Sequence, residues 1–160
     1  MKTLFQTLVI AVSGSQASIN AAKFGIAMAK ASKCRLLAVY VVDTATLREL
    51  LLSKIFVEDE SSEYQMGLEQ NGERYLNYVA ELARKKGVAV EKVLRHGAIS
   101  TEIVEVAEEN GADLVLLGGF EYKGLMRDAL SRQHREILKN AKCSILVVRE
   151  PEIDAIYQKL

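Results

Sequence analysis

Short apolar stretches alternate with longer amphipathic ones along the chain. Residues 5–12 (FQTLVIAV), 35–42 (RLLAVYVV), 88–95 (VAVEKVLR), 112–118 (ADLVLLG) and 143–149 (CSILVVR) are rich in β-branched and aliphatic side chains, bounded by Gly, Ser, Asn or Lys. They predict five strands. The near-continuous apolar runs at 8–12, 36–42, 114–117 and 145–148 predict strands covered on both faces. Between them, residues 16–32 carry Ile19, Ala22, Ile26 and Ala29 at helical spacing behind Ser15 as N-cap. Residues 100–110 do the same with Ile103, Val106 and Ala107, starting at Ser100 and stopping at Gly111. A further helix is predicted over 131–142, starting at Ser131 and turning Ile137 and Leu138 inward.

The segment 43–87 is less regular. Leu47, Leu50, Leu51 and Ile55 make an amphipathic piece expected to lie as a lid over the sheet, and a charged run follows at 58–63. A helix near 64–86 places Tyr75, Leu76, Val79 and Leu82 on one face. Gly67 and Gly72 each cost about 1 kcal/mol relative to Ala, so its ordered part is expected to begin near Glu69. After the last strand, Pro151 and the spacing of Ile153, Ile156, Tyr157 and Leu160 predict a short helix covering this chain or its partner. The alternation βαβαβαβαβ, with right-handed crossovers, predicts a single-domain α/β fold over 1–150, an open, mainly parallel sheet with helices on both faces, plus a helical extension at 151–160.

Composition adds exclusions. The chain has 160 residues, 49% of them hydrophobic, enough for one domain with a real core. Twenty-one Lys and Arg balance twenty-one Asp and Glu. Capture of nucleic acid through an overall basic field is therefore not expected. Apolar runs are too short for membrane insertion, and a cytoplasmic protein is expected. Cys34 and Cys143 match no metal-ligand spacing and are read as reduced, small core residues. No metal site and no catalytic residue is expected, because His96 and His134 accompany no nucleophile motif.

In an open parallel sheet, ligands bind beyond the carboxyl ends of the strands. Those ends carry Ser13-Gly14-Ser15, Val42-Asp43, His96-Gly97 and Gly118-Gly119. The segment 118–124 (GGFEYKG), followed by a helix, can present backbone N–H groups to an anion, or its glycines can simply make tight turns. Four cations, Lys123, Arg127, Arg132 and Arg135, sit there with the carboxylates Glu121, Asp128 and Glu136. A cation in the first turn of a helix is unfavourable unless an anion is near, and that anion is either a ligand or Glu121 itself.

The segments HGAISTEIVEVAEENGADLVLLGG (96–119), KGLMRDALS (123–131) and AKCSILVVRE (141–150), with the opening TLVIAVSGSQAS (7–18), resemble the universal stress protein family. The resemblance implies a Rossmann-like sheet of strand order 3-2-1-4-5, a homodimer, which the edge strand 143–149 would form, and a role in stress adaptation. ATP-binding members carry an Asp where this chain has Ser13, and a Gly-x-x-Gly where it has Gly118, Gly119, Phe120 and Glu121. They also carry a Gly-Ser or Gly-Thr where alignment on Gly124 puts Ser131-Arg132. Val41, Gly118 and Gly124 remain. Glu121 would bring a like charge toward a phosphate. The resulting expectation is a non-enzymatic dimeric stress-response module with an eroded nucleotide cleft, no cofactor and an unidentified protein partner. The alternative keeps an adenine nucleotide, ATP or AMP, in the same cleft. Its contacts would be Ser13, Val41, Gly118, Gly119, Lys123, Gly124, Ser131 and Arg132.

Overall fold

A computed structural model describes residues 3–119 and 126–160, the side chains of 126–131 excepted. The strands are β1 (Thr7–Val12), β2 (Arg35–Val42), β3 (Glu91–His96), β4 (Leu114–Gly118) and β5 (Ser144–Val148). The helices are α1 (Gln16–Ser32), α2 (Thr44–Leu52), α3 (Glu58–Arg84), α4 (Ile99–Glu109), α5 (Met126–Asn140) and α6 (Ile153–Gln158). All strand pairs are parallel and the order is β3-β2-β1-β4-β5. The most apolar strands, β1, β2 and β4, are therefore interior, and β5 is an edge as expected.

Side chains alternate across the pleat. Leu8, Ile10, Ala38, Tyr40, Leu114 and Leu116 bury one face against α1, α3 and α6. Val9, Leu37, Val39, Val115 and Leu117 bury the other against α4 and Ile137 of α5. The period of two in each strand thus feeds two cores.

Helix boundaries depart from expectation where local chemistry decides them. α1 behaves as read: the Ser15 side chain accepts from the Ser18 N–H. α3 begins at Glu58, well before Glu69. Glu58, Asp59 and Glu60 sit in its first turn, where carboxylates favour the helix dipole, so the charged run is the helix start. Gly72 does not break α3 but lets it approach the sheet, since a Cβ there would lie 2.5 Å from the Tyr40 ring and 2.9 Å from Leu94. β3 starts at Glu91 and not at Val88, because the Val88 N–H is already taken by the Ala83 carbonyl at the end of α3 (2.9 Å). α5 starts at Met126, a run of good helix formers, so Ser131 lies within the helix and does not cap it. α4 starts one residue before Ser100, behind Ala98, while Gly111 ends it with φ +59° as expected. Leu138 is exposed on α5; only Ile137 of that pair is buried. α6 packs on its own chain through Ile153 and Tyr157.

Exposed ion pairs tie the sheet edge together. Arg35 on β2 holds Glu91 on β3, and the hydrogen bond from this guanidinium keeps the Glu91 carboxyl below its ordinary value of 4.5. A depressed carboxyl contributes stability that is complete above its unfolded value and lost as pH falls through its folded one. Half-exposed, the pair is worth little at neutral pH. Glu91→Gln is therefore expected to lower the urea midpoint only slightly at pH 7, and to flatten its decline below about pH 4.5 by that same small amount, measured by denaturation between acid and neutral pH.

Candidate functional site

The carboxyl ends of β1, β2 and β4 converge on a cleft roofed by α2. Its larger lobe, about 350 Å³, has Val12, Tyr40 and Val41 as floor and wall, with Leu47, Leu50, Phe56, Tyr64 and Leu68 around it. Its smaller lobe, about 110 Å³, is lined by Ser13, Ser15, Ser18, Gly118, Gly119, Gln133 and His134, among others. Val12, Ser13, Ile99 and Ile103 line both, so the two are adjoining parts of one cleft.

The serines form a compact turn at the head of α1. The Ser13 N–H donates to Ser18 Oγ (3.1 Å), and Ser18 Oγ lies 2.7 Å from the Ser13 carbonyl and 3.0 Å from that of Ser15. Ser13 Oγ and Ser15 Oγ are 3.0 Å apart. These hydroxyls and the α1 N-terminus give the small lobe its polar lining and its partial positive charge. Gly118 is there for a different reason. A Cβ on it would stand 2.6 Å from the Ala17 carbonyl carbon and 2.8 Å from the Ser18 nitrogen, so the bare strand end is what lets α1 start against β4. Gly119 lies against Val148 and the Arg149 side chain. His134 Nε2 is 2.8 Å from the Gly118 carbonyl; a carbonyl only accepts, so Nε2 carries the proton. This bond pins α5 to the end of β4.

Around the larger lobe, Asp43 is committed to its helix. Its Oδ1 accepts from the Thr46 N–H (3.0 Å) and its Oδ2 from the Thr46 hydroxyl (2.7 Å), capping α2. Tyr40 stacks on Tyr75 with ring centroids 6.3 Å apart, and burial pushes its hydroxyl pKa up, with smaller contributions from Tyr75 and Tyr64. The Phe56 and Tyr64 rings meet at 5.8 Å on the roof. Among the described residues, no group of three or more His, Cys, Asp or Glu side chains could hold a metal ion. None of the described helices is long and apolar enough to cross a membrane.

Of the residues singled out in the sequence, Ser13, Val41, Gly118 and Gly119 meet at this cleft. Arg132 is exposed on α5 and does not line it. Glu121, Lys123 and Gly124 lie outside the described residues, as does the side chain of Ser131. The sequence reading missed the aromatic wall of Tyr40, Phe56 and Tyr64, and the contributions of Ile99 and His134. The leucine spacing of 47–51, read as a lid, was the available signal for the roof.

The family model of the universal stress proteins matches residues 4–149. A universal stress protein of Methanocaldococcus jannaschii is 32% identical over 158 residues, covering 94% of this chain and 86% of that protein. A solved structure from the same family in Burkholderia pseudomallei superposes with a TM-score of 0.72 at 21% identity, covering 94% of this chain and 100% of that one. The universal stress protein of Archaeoglobus fulgidus, solved in complex with dAMP, superposes with a TM-score of 0.63 at 15% identity, over 92% of this chain and 100% of that one. With the family model spanning nearly the whole sequence and the fold agreeing strand for strand, the chain belongs to the universal stress protein family.

Proposed function

We propose that this chain is a non-catalytic stress-response module that takes an adenine nucleoside monophosphate in its cleft, and takes ATP poorly. The observation that carries the reading is the open, apolar lobe of about 350 Å³, rimmed by Tyr40, Phe56 and Tyr64 and continuous with the serine-lined lobe. A flat base gains most of its affinity by burying its faces against such walls. A phosphoryl group suits the smaller lobe, where serine hydroxyls and the N-terminus of α1 supply donors. At about 110 Å³ that lobe favours one phosphoryl group over three. Glu121, which stands in the sequence where ATP-binding relatives have glycine, penalises the more highly charged ligand further. The dAMP complex of the Archaeoglobus fulgidus relative supports the same ligand class.

Binding without turnover fits the groups present. Asp43 is spent on its cap and His134 Nε2–H on a carbonyl, while one hydroxyl proton bridges Ser13 and Ser15 and leaves the other of the pair to donate to a ligand. None is arranged as an activated nucleophile with its base. A second copy paired along the β5 edge completes the module, since an edge strand leaves backbone groups open to pairing; sedimentation at the monomer mass at micromolar concentration counts against that part.

Ile99 faces both lobes, so Ile99→Trp should fill the junction. Wild type is expected to bind AMP with Kd of roughly 10 μM, equivalent to about −7 kcal/mol. The variant should bind at least about tenfold more weakly, a loss of about 1.4 kcal/mol, with an unchanged far-ultraviolet spectrum. Equal binding by a folded Ile99→Trp protein would place AMP elsewhere and sink the assignment.

A further inference from the structure

Among the described residues nine large hydrophobic side chains are exposed, and five of them, Leu52, Ile55, Val57, Tyr64 and Met66, fall within residues 52–66. Leu52, Ile55, Val57 and Tyr64 are 76%, 66%, 61% and 53% exposed. Leu52 ends α2, Ile55 and Val57 lie in the turn that joins it to α3, and Tyr64 and Met66 lie near the start of α3; Tyr64 also lines the cleft, whereas Leu52, Ile55 and Val57 do not. Scattered exposed leucines need no explanation, but a cluster of this kind marks an interaction surface.

The charges around it choose the occupant. Glu58, Asp59, Glu60 and Glu63 are exposed beside these side chains, and Lys54 is the one cation of the same stretch. None of the four carboxylates forms a salt bridge with a described residue. The helix dipole accounts for the three in the first turn of α3, but neither for Glu63 nor for the exposed apolar groups. A second copy meeting this face symmetrically would set the acidic clusters against each other, and an anionic lipid surface would be repelled. A cationic segment with one apolar face satisfies both features at once.

We infer that the outer face of the α2–α3 turn docks a basic amphipathic helix of a partner protein, its leucine-like side chains on Leu52, Ile55 and Val57 and its cations on the acidic start of α3. The inference is independent of the nucleotide, so the test is run without one. The probe is a fluorescent Leu/Lys peptide of about 18 residues with apolar positions at a helical period, titrated with the full chain and followed by anisotropy. Binding in the micromolar range is expected. It should weaken at least about tenfold in Leu52→Ser/Ile55→Ser and about threefold in Glu60→Gln/Glu63→Gln, the latter with a shallower salt dependence. All four positions are exposed, so the apolar variant should melt like wild type and the acidic variant should lose only the small dipole contribution of Glu60. A same-composition peptide scrambled to remove the apolar face should bind at least about tenfold more weakly. Absence of binding, equal binding of the scrambled peptide, or unchanged binding by the folded Leu52→Ser/Ile55→Ser protein would overturn the inference. So would a shift of that variant from oligomer to monomer in sedimentation, which would make a second copy the occupant.

Discussion

Tyr157→Ala is expected to destabilise the protein by about 3–5 kcal/mol, the range for deleting a buried aromatic side chain. The ring is buried in the core formed by α1, α3 and the sheet. Its hydroxyl donates to the Leu82 carbonyl at 2.7 Å, in the last turn of α3, where helix carbonyls lack intrahelical donors. Lys86 and Lys23 lie over the ring, 4.7 and 5.6 Å from its centroid. Truncation would leave a cavity, orphan the carbonyl and strip both lysines of their aromatic partner. For a chain of this size the loss corresponds to a fall in Tm of roughly 6–20 °C. Tyr157→Phe should lose only about 1 kcal/mol, the hydrogen bond alone, and Ile156→Ala, at an exposed position of the same helix, should change little. A melting curve of Tyr157→Ala matching wild type would mean that α6 is an appendage. Removal of residues 151–160 should act at least as strongly as the point change.

Gly118→Ala is expected to be the most damaging small substitution at the cleft. The added methyl would lie 2.6 Å from one backbone atom of α1 and 2.8 Å from two more, and backbone in a capped first turn cannot rotate away. Overpacking of this kind costs about 1–3 kcal/mol, and relief requires α1 to back off from β4. That movement would carry Ser15 and Ser18 with it, so AMP affinity should fall at least about tenfold alongside the lost stability. Gly67→Ala is the control: nothing lies within 4 Å of its Cβ position, and helix propensity predicts a gain of up to about 1 kcal/mol. Chemical denaturation and calorimetry on the two variants check both halves. A Gly118→Ala protein with wild-type stability and affinity would contradict the close approach of α1 to β4.

β1, β2 and β4 were legible because burial on both faces leaves an unbroken apolar signature. By contrast β5, read as covered on both faces, is a half-buried edge, and β3 carries Glu91, Lys92 and Arg95 and starts later than its apolar run. The parallel class followed from alternation with helices. Strand order came with the family resemblance, since periodicity says nothing about which strands are neighbours. The start of α3 was misread because two glycines were charged with their full propensity penalty. In the folded chain Gly67 is merely open, and Gly72 is repaid by close packing on Tyr40 and Leu94. At the cleft, Gly118 illustrates a different limit: a glycine that admits a phosphate and one that admits another helix have the same letter. The wall of Tyr40, Phe56 and Tyr64 was hidden because its members come from β2, the α2–α3 turn and α3. No local pattern joins them; only the crossover of the chain above the sheet does.

The most direct test of the cleft as an adenine-nucleotide site is isothermal calorimetry of the full chain, purified through denaturation and refolding to remove any carried ligand, titrated with AMP and in parallel with ATP. The account predicts a saturable AMP isotherm in the range of roughly 10 μM and no ATP binding of micromolar affinity. An AMP titration without saturable heat at any temperature, in a protein whose melting temperature AMP also fails to raise, would contradict it.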